Sequence, residues 1–482
     1  MNKRNVLLIA AAVLLIAGTA TAQTQSKKRG IAYDFTSMAD LQAVSPGVSW
    51  FYNWGTSPKE AVAGCFKEAN MVHVPMTWNA GYNKDDLRNY LKGHPEVKYL
   101  LGFNEPNFWS QANLTPKQAA AKWPELEALA AEFGLELVSP ACNWSGDAME
   151  EDGVNMQDPV RWLDAFFAAY PTAKVDYIGI HFYMPNQPAY EANIERLRKY
   201  GRKIWLTEFN MDKSVGDNGT ADEQRDFIVN MIHYLEKEDL IFRYSWFIGR
   251  AWDNHPVNLL DKNPGELTTC GKVYTYMSSY DNSFFHQTDK RIEAEHYVDM
   301  QGISLIEGTD DDGTITIGYI DDGDWAEYNI DVPTEGDYTL TLRYAGENDA
   351  QIDVTSPVGG DLLAIINIPA AGGWDRWHTL RQPLHLQKGK QRIRLGFTFG
   401  GINVNWLSIG KDDGHATAID GASLQALTDS ETVKKVTILD TNGRIMEASR
   451  NGMSPSAILP RGIYVARIDY TDGTVATRKF IK

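Results

Sequence analysis

Tyr99-Leu100-Leu101-Gly102-Phe103-Asn104-Glu105-Pro106-Asn107 and Ile204-Trp205-Leu206-Thr207-Glu208-Phe209-Asn210 share one layout, an apolar run of strand length that ends in a polar cluster with a glutamate. Such a short continuous run reads as a strand buried on both faces, the kind found in parallel sheets. Working outward from these two, which are read as strands at Tyr99–Glu105 and Lys203–Phe209, six more runs follow the pattern. They are Gly30–Phe35, Ser49–Trp54, His73–Trp78, Leu135–Pro140, Val175–Tyr183 and Phe242–Ile248. Amphipathic stretches lie between them, at Pro116–Phe133, Asp158–Tyr170, Ala189–Tyr200 and Ala221–Glu238, with apolar residues three and four apart. Eight strands with crossover helices within residues 28–282 favour a closed (β/α)₈ TIM barrel, an α/β fold, over an open doubly wound sheet.

In such a barrel the active site forms at the C-terminal ends of the strands. Glu105 ends the fourth strand and Glu208 the seventh, so two carboxyl groups point into one mouth. Glycosidic cleavage needs that pair: one carboxyl protonates the departing oxygen while the other attacks or stabilises the oxocarbenium-like centre. Around them the reading places Asn53, Trp54, Trp78, Asn104, Trp109, His181, Tyr183 and Trp246, a polar and aromatic ring suited to a sugar chain. Cys142 follows the fifth strand with no histidine partner in sequence, which argues against a nucleophilic role.

The composition points the same way. There are 63 Asp and Glu against 46 Lys and Arg, for a formal net charge of −17, which makes nucleic acid and anionic membranes poor partners. Aromatic residues reach 11%, an excess that suits flat apolar ligands such as sugar faces. Three cysteines, Cys65, Cys142 and Cys270, show no metal-ligand spacing, and no nucleotide-binding glycine loop occurs, so no cofactor is expected for catalysis. Residues 1–22 have a basic start at Lys3 and Arg4, an apolar run from Val6 to Ala17 and small residues to Ala22, the layout of a cleaved secretory signal. The apolar run is short of the ~20 residues a spanning helix needs, and no later stretch is long enough to span, so the chain is expected to be secreted or held on the outer surface.

After residue 282 the texture changes. Residues 290–411 alternate in the manner of strands, as in Thr339–Tyr344 and Arg392–Leu395, and are broken by Gly, Pro and Asp turns. A β-sandwich or jelly roll is expected there. A polar linker around residues 411–423 leads to residues 424–482, with strands at Lys435–Asp440, Gly462–Tyr470 and Thr474–Ile481, read as a second, small β-sandwich.

Ser49–Trp54, His73–Trp78, Leu101–Asn107, Ile178–Tyr183 and Trp205–Phe209, in this order, resemble the catalytic barrel of glycoside hydrolase family 128. The resemblance implies endo-acting, retaining cleavage of β-1,3-glucan of the laminarin or curdlan type, with the residue matching Glu105 as acid/base and that matching Glu208 as nucleophile. The fourth-strand motif of the family usually ends Pro-Asp; here it ends Pro106-Asn107, a departure that touches subsite contacts and leaves the acid in place.

Residues Ile292–Glu295, Ile317–Trp325, Gly372–Trp377 and Asn403–Trp406 resemble carbohydrate-binding module family 6. The resemblance implies that Tyr319 and Trp374 sandwich a sugar and that Asn403 hydrogen-bonds it, while Trp325 and Trp377 read as core. It also implies a structural calcium. Glu293 and Glu295 stand two apart on the first strand and face one way, and hard oxygens are what calcium takes. Asn405 stands where the family usually has an Asp, and the acidic run Asp310–Asp312 reads as solvated surface. In the tail, Val436–Arg444, Leu459–Val465 and Lys479–Lys482 resemble the C-terminal sorting domain of type IX secretion substrates, which implies the type IX machinery as a partner. Two rival readings stay open on the residues alone: a non-catalytic polysaccharide-binding surface protein, and an endo-hydrolase for another β-glycan.

Overall fold

The computed structural model describes residues 25–64, 66–146, 149–310 and 315–411, and beyond them 433–440, 445–449, 463–470 and 475–481. Residues 1–22, read as a secretory leader, Cys65, residues 412–423 of the linker and part of the tail motifs lie outside the described residues.

The N-terminal body alternates strand and helix. Its elements are β1 (Ser26–Ala32), α1 (Met38–Val44), β2 (Val48–Tyr52), α2 (Glu60–Ala63), β3 (Val72–His73), α3 (Lys84–Gly93), β4 (Tyr99–Leu101) and α4 (Pro116–Phe133). They continue with β5 (Glu136–Val138), α5 (Pro159–Ala169), β6 (Ile178–Met184), α6 (Gln187–Glu195), β7 (Ile204–Met211), α7 (Ala221–Lys237), β8 (Ile241–Trp246) and α8 (Thr269–Tyr276). Six strands form one parallel sheet in the order β3-β2-β1-β8-β7-β6, and β4 pairs β5, also in parallel. Isolated parallel bridges connect the two sets: Met76 with Leu101 on one side, Val138 with Tyr177 and Cys142 with Ile180 on the other. Local signals set the helix ends. Thr115 and Gln118 form a capping box on α4, with Pro116 in its first turn and Gly134 in the left-handed conformation at its end; Thr220 and Glu223 cap α7 in the same way.

Two apolar layers hold this body together. On the inner side of the strands, Trp50, Tyr52, Met76, Leu101, Val138 and Trp205 pack on one another, with the Trp50 and Trp205 ring centroids 5.0 Å apart. Gly30 must be glycine here, because a Cβ would sit 2.2 Å from the Trp50 ring. Arg243 lies among the rings of Tyr99, Trp205 and Trp50, at 4.9, 5.0 and 5.5 Å, and burial draws its pKa down to about 10. The larger layer lies between strands and helices, with Trp123, Trp162, Phe166, Phe209 and Trp246 fully buried.

The second body is all β. Its strands are β9 (His286–Gln287), β10 (Arg291–Glu293), β11 (Asp299–Gln301), β12 (Ser304–Glu307), β13 (Ile315–Gly318), β14 (Trp325–Val332), β15 (Gly336–Gly346), β16 (Ala350–Thr355), β17 (Leu362–Ile368), β18 (Gly373–Leu386), β19 (Gly389–Phe399) and β20 (Asn403–Lys411). They make two six-stranded sheets, β9-β14-β19-β16-β17 with β11 added to β14, and β12-β13-β20-β15-β18 with β10 added to β20. Inward residues alternate along each strand, as in Ile352 and Val354 or Ile393, Leu395 and Phe397. The tail contributes β21 (Val433–Asp440), β22 (Ile445–Ser449), β23 (Ile463–Tyr470) and β24 (Val475–Ile481), one antiparallel sheet in the order β22-β21-β23-β24. Among the described residues the tail forms one sheet. Among the described residues no helix is long and apolar enough to cross a membrane.

Candidate active site

Glu105 lies four residues past the end of β4. Its amide donates to the Ala141 carbonyl (2.8 Å), and its φ of +38° is a left-handed conformation that costs a non-glycine residue energy. Glu208 lies within β7, opposite His181 of β6, where the ladder register shifts between Ile180 and His181. The extra residue is Thr207 of β7, and such a bulge re-aims the side chain beside it, here Glu208. The two carboxylates are 8% and 5% exposed and His181 is fully buried.

These three groups form one cluster. His181 Nδ1 is 3.0 Å from Glu105 Oε1 and 3.4 Å from Glu208 Oε2, and one ligand-type atom from each of the three lies within 4.8 Å of the others. Glu208 is surrounded by donors: Tyr52 Oη (2.9 Å) and Trp54 Nε1 (2.8 Å) on Oε1, and Tyr183 Oη on Oε2. Glu105 Oε1 accepts from Asn143 Nδ2 (3.1 Å). Electrostatics follow from burial. Desolvation raises the Glu208 pKa, His181 pulls it down, the Glu105 charge pushes it up, and the Tyr183 and Trp54 donors oppose, with a net rise. For His181 burial works to lower the pKa, and the charges of Glu208 and Glu105 outweigh it. Burial and the two carboxylates hold the Tyr52 and Tyr183 hydroxyls far above the ordinary phenol value, so both remain donors.

The other expected residues divide. Trp54 and Tyr183 touch Glu208 directly. Asn104 is buried, its Nδ2 donating to Gln111 Oε1 (3.3 Å), and its Oδ1, like His181 Nε2, finds no protein partner. Trp78 packs half-buried against the inner layer, and Trp109 is 70% exposed just after Glu105. Two assignments need correction. Trp246 is 0% exposed, donates its Nε1 to the Val257 carbonyl (2.8 Å) and packs on Phe209 and Tyr274, so it faces the helices and not the mouth. Asn53 spends its amide on neighbouring segments of the protein: Nδ2 donates to Asp34 Oδ1 after β1 and to the Ser57 carbonyl, and Oδ1 meets His73 Nε2 of β3, each at 3.0 Å. The sequence reading missed Tyr52 and Asn143. Tyr52 shares the two-residue alternation of Trp50 and Trp54, and Asn143 ends the fifth apolar run much as Asn104 ends the fourth. Cys142 is buried, and burial together with the Glu105 charge raises its thiol well above the usual range, which leaves it unreactive.

In the second body Trp374 (44% exposed) and the buried Asn403 line a cavity of about 450 Å³ together with Trp377, Arg376 and Glu307. Tyr319, 66% exposed with φ +50°, follows β13. Trp377 and Trp325 are not core. Trp377 is half-buried on the cavity wall with Nε1 on Thr309 Oγ1 (3.0 Å), and Trp325 lies beneath the Arg394 guanidinium at 4.1 Å. Glu293 is held by Arg291 (2.7 Å), and Glu295 is 2% exposed near Asn405, whose carbonyl accepts from the Ala294 amide (2.9 Å). Asp310 is not solvated surface: its carboxylate takes both arms of Arg343 (2.7 and 2.8 Å) and Asn405 Nδ2 (2.9 Å), whereas Asp311 and Asp312 lie outside the described residues.

A family profile described as the glycosyl hydrolase catalytic core matches residues 30–274. The chain belongs to this family. A second profile, carbohydrate binding module (family 6), matches residues 293–411 of this glycosyl hydrolase. It is similar to the glycoside hydrolase family 128 (subgroup II) endo-β-1,3-glucanase of Pseudomonas viridiflava, with 40% identity over 52% of this chain and 98% of that chain, at a TM-score of 0.48. The module is similar to the family 6 module of Cellvibrio mixtus lichenase 5A solved with cellotriose, with 31% identity over 26% of this chain and 98% of that chain, at a TM-score of 0.25. Among curated proteins it is similar to alkali-sensitive linkage protein 1 of Schizosaccharomyces pombe, 27% identical over 245 residues, which are 48% of this chain and 41% of that protein. The chain spans less than half the length of the curated relatives it matches.

Proposed function

We propose that the chain is a retaining endo-β-1,3-glucanase with an appended glucan-binding module. The observation that carries this reading is the pair of buried carboxylates whose nearest oxygens fall within 4.8 Å, bridged by His181. Retaining glycosidases hold their carboxyl groups about 5–5.5 Å apart, against about 6.5–9.5 Å where a water must fit between them. The roles follow from the donors. Tyr52, Trp54 and Tyr183 all donate to Glu208, which favours its ionised form and aims it as the nucleophile. Glu105, held at Oε1 by Asn143 and beside His181, takes the acid/base role. It gives its proton to the glycosidic oxygen as a Glu208 oxygen bonds the anomeric carbon and the leaving sugar departs. As a carboxylate it then takes a proton from water, whose oxygen attacks the same carbon and releases Glu208. The substrate class is the one named for the Pseudomonas viridiflava enzyme.

The test is hydrolysis of a panel of β-glucans with the anomeric form of the first product followed by NMR. A β product from β-1,3-glucan, lost in Glu105→Gln and Glu208→Gln, is expected; an α product, or turnover on another linkage alone, refutes the reading.

The bridges that join β3 to β4 and β5 to β6 support a closed (β/α)₈ barrel over residues 28–282, with the module at 290–411 and a sorting domain at 424–482. Export through the secretory leader and the type IX machinery is proposed from the sequence motifs alone. A calcium in the module would draw on Glu293, Glu295 and Asn405. Their oxygen donors and the burial of Glu295 fit a hard cation, while Arg291 already balances Glu293. If the ion is structural, chelation lowers the melting temperature of the chain and added calcium restores it; an unchanged melting curve removes it from the account.

A further inference from the structure

The module does not hang from a free tether. Ser278, after α8, donates its amide to the Glu295 carbonyl (3.2 Å), and the Tyr280 ring stacks on His233 of α7 at 5.2 Å. Asp299 of β11 takes Lys237 of α7 at 2.8 and 2.9 Å. On β12, Ser304 Oγ donates to Asp226 Oδ1 of α7 (3.0 Å), and Glu307 pairs with Lys272 and accepts from Thr269 Oγ1 (2.9 Å), both at α8. One of these contacts reaches the cavity, and a further one meets Tyr319, the ring expected to stack on sugar. Glu307 lines the cavity that Trp374 and Asn403 also line. The Arg225 guanidinium of α7 lies 5.7 Å from the centroid of the Tyr319 ring.

We propose that the catalytic body builds one wall of the module's sugar cleft, with Arg225 seating the Tyr319 ring and Lys272 fixing Glu307, so that the cleft is complete only in the docked chain. The physical case has three parts. Tyr319 is 66% exposed on a residue with positive φ, so its own backbone neighbours do little to hold the ring. Arg225 is itself immobilised, with Nη1 on Asp222 (2.7 Å) and Nη2 on Asp226 (2.9 Å), and therefore presents a fixed cation to the ring. A guanidinium stacked on an aromatic face orders that ring without consuming its other face, which stays available to the apolar face of a pyranose. Ordering the ring beforehand lowers the entropy that sugar binding would otherwise cost. Arg225 and Lys272 are thus positioning residues.

The inference rests on the proposed glucan binding by the module, and the experiment separates the two. In the full chain, retention on insoluble β-1,3-glucan is compared for the parent, Trp374→Ala, Arg225→Ala, Arg225→Lys and Lys272→Met, with a melting curve for each. The expected result is that Trp374→Ala loses retention, that Arg225→Ala loses roughly two- to fivefold in affinity, the size of one exposed cation–π contact, and that Arg225→Lys restores most of it. Lys272→Met should weaken retention in the same direction and reads the same wall should Arg225→Ala not fold. A merely structural Arg225 would shift melting and leave affinity at the parent value; with Trp374→Ala impaired, that outcome overturns the composite cleft alone. Parent-like retention by Trp374→Ala overturns the binding reading and the composite cleft with it.

Discussion

Replacing Tyr183 with Phe removes one atom from the site and little else. The Phe ring keeps the edge-to-face contact with Phe247 (centroids 5.9 Å), and what disappears is the hydroxyl that donates to Glu208 Oε2. Two donors, Tyr52 and Trp54, remain on the other oxygen. A hydrogen bond to a charged group contributes about 1.5–3 kcal/mol, so a bond that serves to hold the nucleophile ionised and aimed is worth roughly 10- to 100-fold in kcat/KM. The pH profile should move as well. The Tyr183 donor lowers the Glu208 pKa against the lifting effects of burial and the Glu105 charge, so its loss lets that pKa rise further. A nucleophile must be ionised, and activity is lost as pH falls through its pKa; the acid limb of kcat/KM in Tyr183→Phe therefore moves to higher pH. The assay is initial rates on a soluble β-1,3-oligosaccharide across pH, with binding followed separately in an inactive background. An acid limb that stays in place or moves to lower pH would refute the assignment of Glu208 as the ionised partner, and so would an unchanged rate.

Three further outcomes can be checked on the same preparations. Glu208→Gln should be inactive yet more stable than the parent at neutral pH: a raised folded-state pKa means stability present below the ordinary value of 4.5 and lost as pH rises through the folded one, and an amide cannot ionise. Thermal melts from pH 3 to 8 should show that advantage shrinking toward acid, and a constant gap would contradict it. Trp246→Ala should lower stability by about 3–5 kcal/mol in denaturant titrations, as expected for a large core aromatic, while KM of the folded fraction stays near the parent value. Trp374→Ala should reduce retention on insoluble glucan with hydrolysis of short soluble oligosaccharides little changed, because the catalytic body has its own site for them.

The strands and the helices α4 to α7 of the catalytic body were legible because each is a short apolar run or a helical period between turn residues, and α4 spans the residues that its apolar spacing marks, whereas the shorter α1, α2, α3 and α8 were not read. The weakest strand was β3. The run His73–Trp78 reads as a full strand, yet Pro75 has no amide to donate, and the ladder shrinks to Val72–His73 plus the single bridge at Met76. The misplacement of Trp246 came from treating any aromatic at a strand end as part of the mouth. Along β8 Phe242, Tyr244 and Trp246 share one parity, yet Phe242 packs against the inner cluster while the fully buried Tyr244 and Trp246 belong to the layer that faces the helices; the register shift between Ile241 and Arg243 breaks the alternation, so simple parity does not place Trp246.

The docked module was not legible at all, and the reason is physical. A strand or a cap is written in adjacent residues, whereas the seat of Tyr319 is Arg225, a residue on a helix of another body that serves first as a partner to Asp222 and Asp226. Nothing local in either segment marks the pairing. The consequence for function is concrete. With Ser304, Glu307 and Asp299 fixed on α7 and α8, the distance and direction from the module's cavity to the carboxylate pair are set by the fold and not by a linker. A tether raises the local concentration of any reachable polymer segment, but a fixed pair of sites favours only segments whose curvature fits both at once. The module should therefore act as a ruler for glucan conformation as well as an anchor. Lengthening the connection at Tyr280 by a flexible insert would leave anchoring to insoluble glucan intact and change the distribution of product lengths from the polymer; an unchanged distribution would mean that tethering alone describes the pair.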